Sequence, residues 1–200
     1  MRPFSRLVLH DTTGFDIGPY VEDCARKYDL PLRVMVAMPG AESGLSPFAE
    51  RWGGRTDEAK ALLDAVQAGD EGARAILEQI IRQAGYDVSF GFTQLIAATA
   101  GGYGIGDGSY SVENLLAIRT LLFDRAASID LGARHLRSAC DAVLDWKGDY
   151  TDLEALAYYN AGGYSFEASY WNDAATAANV ANYRSWLEFA DRILAEQGLA

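Results

Sequence analysis

Glu42 is the residue whose surroundings most suggest chemistry. It ends the apolar run from Leu30 to Ala41, within Ala41-Glu42-Ser43-Gly44. Leu32, Met35, Val36 and Pro39 fall at i, i+3, i+4 and i+7, one stripe of a helix. Glu42 follows Pro39 by three residues and Met35 by seven, so it projects beside that stripe. A carboxyl group held against apolar side chains loses hydration of its charged form, which raises its pKa. The negative end of a helix dipole acts in the same direction. Such an acid stays protonated near neutral pH and can serve as a general acid. The same residue could equally be a solvated helix-end glutamate, and this stretch alone does not separate the two.

Two other stretches carry polar groups in unusual settings. Ser89-Phe90-Gly91-Phe92-Thr93-Gln94 reads as an extended turn. There Gly91 permits close backbone approach, and Gln94 can both donate to and accept from a sugar amide or hydroxyl. In a short helix expected over 152–161, Leu153, Leu156, Ala157 and Ala161 form a core stripe with Asn160 on it. A buried amide is costly unless paired. Asn160 therefore either ties a neighbouring loop to the helix or works with Tyr159, at the edge of the same face, to orient a catalytic group or a sugar. Tyr164, Phe166, Tyr170 and Trp171 crowd together downstream. Their rings suit sugar faces, a core or a lid, and the sequence does not choose.

The elements that must position these groups are almost all helical. A first helix is expected from Asp16 to Tyr28, with Asp16 as cap. The Glu42 helix follows Pro31, a good helix-start residue. Pro39-Gly40 predicts a kink or an early stop near its end. Residues 46–56 read as a loop. Two arms, 57–68 and 70–84, form a helical hairpin joined at Gly69; the second carries the stripe Ala73, Ile76, Leu77, Ile80, Ile81 and Ala84. A short helix is expected over 95–100, then helices over 112–122, 124–146 and 182–196. The longest has Ile129, Gly132, Ala133, Leu136, Cys140, Val143 and Leu144 on its apolar face. Strand-period alternation is almost absent beyond a possible short strand at Leu7-Val8-Leu9. The expectation is a mostly α fold, one domain over residues 1–200, with a short extended region and a helical insertion at 57–85.

Composition bounds the function. Half of the 200 residues are apolar, enough for a substantial core. No apolar stretch reaches the roughly 18 residues of a membrane span. Residues 1–9 offer no adequate apolar region or cleavage site, so no signal peptide is expected. A net charge of −11 supplies no basic stripe for nucleic acid. It also makes long-range steering toward a negatively charged wall polymer repulsive. Cys24 and Cys140 fit no metal or redox spacing and read as buried free thiols rather than a disulfide. His10 and His135 stand alone, so neither a metal site nor a cofactor is expected.

Taken in order, Ala41-Glu42-Ser43-Gly44, Ser89-x-Gly91-x-x-Gln94 and Ala157-x-Tyr159-Asn160-Ala161-Gly162 resemble the motifs of lytic transglycosylases of the goose-type lysozyme superfamily. Leu122-Phe123-Asp124 and Ile129-Asp130-Leu131-Gly132-Ala133-Arg134-His135-Leu136 resemble that family's helix of the form Leu-Phe-Asp…Asn-Ile-x-Leu-Gly-Ala-x-Tyr-Leu. The resemblance spans residues 30–163, with a looser match at Tyr183. It implies a lysozyme-like α-helical domain that cuts the β-1,4 bond between N-acetylmuramic acid and N-acetylglucosamine in peptidoglycan glycan strands. Glu42 would be the single acid and base, and Ser43, Ser89, Gln94, Tyr159 and Asn160 would bind or position the sugar. One carboxylate then does the work that a pair does in most glycosidases.

Three features depart from that pattern: Pro39-Gly40 before the glutamate, the insertion at 57–85, and Asn179 where many members carry a glutamate. A hydrolytic muramidase on the same scaffold would need a second carboxylate to hold water. Asp87 is the nominee and Asp57 a poorer one. The other alternative is an inactive lysozyme-like protein that binds the wall or serves as a virion structural component. With no leader expected, the chain would be made in the cytoplasm and reach the wall as a phage lysis or virion-associated enzyme, or through a bacterial secretion assembly.

Overall fold

The computed structural model describes residues 7–84, 88–168 and 174–200, with residue 84 and the helical stretches 161–168 and 174–177 as backbone. The described residues are mostly helical, with one small three-stranded antiparallel sheet. The mostly α expectation holds. No helix among the described residues is long and apolar enough to cross a membrane. By contact the chain divides into two compact units, Met1–Ser46 with Ile129–Ala200, and Pro47–Ser128.

The first unit is built on α2 (Leu32–Ser43), against which α1 (Gly18–Lys27), α8 (Asp152–Ala168) and α9 (Ala174–Glu196) pack. Every residue of α2 from Val34 to Gly40 is buried. The one-stripe reading is therefore corrected: a helix apolar on all sides belongs inside. The early stop expected at Pro39-Gly40 does not occur: α2 runs through both residues and ends at Gly44. Proline costs the helix a hydrogen bond, and packing from α1, α8 and α9 holds the helix regardless. The absent side chain of Gly40 makes one such contact possible. A Cβ there would lie 2.2 Å from the Trp186 ring of α9.

Elsewhere in this unit the chain follows its apolar periodicity. Helix α1 is capped at Ile17 rather than Asp16, whose carboxylate nonetheless accepts from the Gly18 N–H at 3.0 Å. Leu7 and Leu9 are buried around exposed Val8, and among the described residues this end forms an isolated His10–Asp16 bridge rather than a strand over 7–9. In α7 (Arg125–Lys147), which crosses the boundary between the units, Ile129, Ala133, Leu136, Cys140 and Val143 are buried while Leu144 is 41 % exposed. Helices α8 and α9 are both longer than their periodicity announced.

In the second unit, the stretch expected to be a loop contains β1 (Glu50–Trp52), which pairs antiparallel with β2 (Val88–Phe90); β2 pairs with β3 (Leu95–Ile96). The expected helical hairpin, α3 (Thr56–Gln67) and α4 (Glu71–Ala84), is inserted between β1 and β2. Helices α5 (Ala97–Gly102) and α6 (Val112–Leu122) complete the unit. The Ser111 hydroxyl caps α6 by accepting from the Asn114 N–H. A buried ion pair fixes β1: the Glu50 side chain is 1 % exposed and accepts from Arg119 of α6 at 2.9 and 3.0 Å. The remaining Glu50 oxygen accepts from the Trp52 indole at 2.9 Å.

Candidate active site

Glu42 occupies the last turn of α2, half-buried, with its Oε1 shut off from solvent. Neighbouring groups close the helix around it. The Ser43 hydroxyl donates to the Pro39 carbonyl at 2.7 Å, and the Gly44 N–H donates to Gly40 at 2.8 Å. The Asn182 amide, reaching across from α9, donates to the Ala41 carbonyl at 2.9 Å. Helix ends leave carbonyls without intrahelical partners, and Asn182 answers one of them. Its role was not visible in the sequence, where it stands as an ordinary polar residue one position before Tyr183.

Two consecutive left-handed residues follow the glutamate, Gly44 at φ +62° and Leu45 at φ +64°. Glycine adopts that region freely, whereas for a leucine it costs about 1–2 kcal/mol. Leu45 stays there because it is buried, and because its N–H donates to Pro39 while its carbonyl accepts from Thr12 at 3.0 Å. Strain of this kind concentrates at functional sites.

Tyr159 and Asn160 exchange the environments expected of them. Asn160 is exposed, and Tyr159 is buried at 6 % exposure. The buried face of α8 runs through Ala155, Leu156 and Tyr159, which rotates Asn160 to the water side, where its amide keeps its hydration. The Tyr159 ring lies 4.8 Å from the His135 ring of α7, tilted by 59°. Burial pushes the His135 pKa below its ordinary value, and a hydrogen bond to the backbone of Tyr159 opposes the shift.

In the second unit, the Ser89–Gln94 turn is closed by its own polar groups. Buried Ser89 donates to Gln94 Oε1 at 2.9 Å. Gln94 Nε2 donates to the carbonyls of Gly91 and Ala49 at 3.0 and 3.1 Å. Both amide hydrogens are thereby spent, so Gln94 has only acceptor capacity left to offer a ligand. Its backbone is left-handed at φ +46°. Gly91 needs both of its freedoms: φ is +74°, and a Cβ would meet the Leu122 carbonyl oxygen at 2.3 Å.

Asp87, Tyr170 and Trp171 lie outside the described residues, as do the side chains of Tyr164 and Phe166. Asp57 stands in the first turn of α3. A hollow of about 440 Å³ flanks the other end of α2, lined by Arg33, Asp152, Arg184 and Glu188 among others. Arg33 is occupied there, donating to Asp191 at 2.6 and 3.0 Å and to Asp152 at 2.7 Å. Glu42 lies nine positions further along the helix, about 14 Å along the axis. No group of three or more potential metal ligands occurs among the described residues. No family model, curated protein or solved structure matches the chain.

Proposed function

We propose that this protein is a peptidoglycan lytic transglycosylase with Glu42 as its single acid and base. Glu42, protonated, gives its proton to the glycosidic oxygen as the bond from C1 of N-acetylmuramic acid to O4 of N-acetylglucosamine breaks. The resulting carboxylate then takes the proton from the muramic C6 hydroxyl as O6 closes onto C1. The product ends in a 1,6-anhydro sugar, no water is consumed, and Glu42 returns to its starting state.

The observation that most supports this reading is the setting of Glu42. A glutamate with one oxygen out of solvent sits at the end of a helix buried on all sides, and a strained leucine follows three residues later. A solvated helix-end glutamate would need neither feature. Gln94 and Ser89 contribute by building their turn, and Ser43 by closing α2. The order of the motifs along the chain supplies the choice of substrate.

Mass analysis of the fragments released from purified peptidoglycan tests the proposal. Anhydro-ended muropeptides, lighter by one water than hydrolytic products, are expected from the wild type. Reducing-end products alone would replace the reading with a muramidase, and no release of fragments would remove the catalytic reading altogether.

A further inference from the structure

The turn in the second unit has an aromatic neighbour that the reading above leaves unused. Gly91 is gripped from two sides: its N–H donates to the Ala49 carbonyl at 2.8 Å, and its Cα is pressed against the Leu122 carbonyl. The residues beside these two anchors are Phe48 and Phe123. Their rings meet edge to face with centroids 5.4 Å apart at 77°. Arg125 places its guanidinium 5.7 Å from the Phe48 centroid, and Arg119 sits 4.8 Å from that of Phe123. Phe48 nevertheless remains 47 % exposed.

We propose that Phe48, braced by Phe123, is a stacking platform for one N-acetylhexosamine ring of a glycan strand, alongside the Ser89–Gln94 turn. The inference rests on the reading of wall glycan as substrate. A β-linked hexosamine presents an apolar C–H face ringed by polar groups, which matches a flat aromatic with a hydrophilic rim. Arg125 lies over one face of the Phe48 ring, while Arg119, over Phe123, is spent in its ion pair with Glu50. One exposed ring is far too small for a protein interface, which needs about 1,000 Å². Gln94 shares with Gly91 the carbonyl of Ala49, the residue next to Phe48, and its Oε1 keeps an acceptor lone pair that a sugar hydroxyl or amide N–H of the same strand can donate to.

Calorimetric titration with the β-1,4-linked tetramer of N-acetylglucosamine tests this, in the Glu42→Gln background to prevent cleavage. Adding F48A is expected to weaken binding about tenfold, the size of one lost aromatic contact. Adding F48W should restore affinity to within about threefold of the parent, since its ring offers the same apolar face. Melting temperatures of all three proteins should agree, because an exposed ring contributes little to folding. Equal affinity with and without F48A, equal losses in F48A and F48W, or no binding by the parent overturns the platform. Cleavage assays keep the two readings apart. A wild type that cuts peptidoglycan with a KM unchanged by F48A sinks the platform alone. Phe48-dependent tetramer binding by a chain that cuts nothing sinks the transglycosylase alone.

Discussion

The end of α2 and the β2–β3 turn both use left-handed backbone, but they spend their polar side chains differently. In the turn, Ser89 and Gln94 return their hydrogens to the protein, each to a named acceptor within the same unit. At the end of α2, closure comes from Ser43, Gly44, Leu45 and Asn182, and the carboxylate of Glu42 sits among groups that already finish the helix. Residues of a functional motif can thus be sorted by where their hydrogen-bonding capacity goes. Gln94 builds its turn, whereas Glu42 ends its helix with one carboxylate oxygen shut off from solvent.

The sharpest way to break this contrast is E42Q. Removing a general acid costs about 10²–10⁴-fold in rate, so peptidoglycan release should fall by about a thousandfold while the melting temperature stays put. A large loss of stability would instead make Glu42 a builder. G91A should do the reverse, since its Cβ collides with a backbone carbonyl and its φ becomes strained. A destabilisation of about 3 kcal/mol is expected in urea unfolding.

Gln94 separates the two roles more finely. Q94A forfeits three part-buried hydrogen bonds and should cost about 2 kcal/mol. Q94G forfeits the same bonds but relieves the left-handed backbone, so it should be the more stable of the two by about 1 kcal/mol. If Q94A and Q94G unfold together, the φ of +46° carries no strain.

The smallest effect belongs to His135. Its pKa is lowered in the folded protein, so the unfolded chain binds the proton first as pH falls. Stability is complete above the ordinary histidine value of about 6.5 and declines as pH drops through it toward the lower folded value. Melting temperature should therefore fall between about pH 7 and pH 5, and H135F should flatten that part of the profile. An unchanged slope in H135F would assign it to other groups.

What could be read in advance was whatever repeats. The α3–α4 hairpin with its joint at Gly69 carries a regular apolar stripe, and it is present; the helix bearing Glu42 was legible from its unbroken apolar run rather than from a stripe. Strand β1 was hidden because three residues cannot display a period of two. The start of α9 was hidden because Ala174-Ala175-Thr176-Ala177-Ala178 has no polar contrast. The fate of Asn160 turned on a small rotation of α8, which the stripe through Leu153 misjudged. Gly40 looked like a helix breaker until Trp186, far along the chain, proved to occupy its missing side chain. Pairings across such distances leave no local trace in the sequence.

The two cysteines offer a last consequence. Both are buried, both lie in the first unit, and the second unit has none. Cys24 sits 3.7 Å from Asp130, and burial with that neighbouring carboxylate pushes its thiol up to about 12; burial raises Cys140 as well. Since the thiolate is the reactive form, alkylating reagents should find almost nothing to modify in the folded chain. Labelling rates then become a clock for the opening of the first unit alone, a natural reporter that can time the breathing of the glutamate's half of the molecule without any engineered probe.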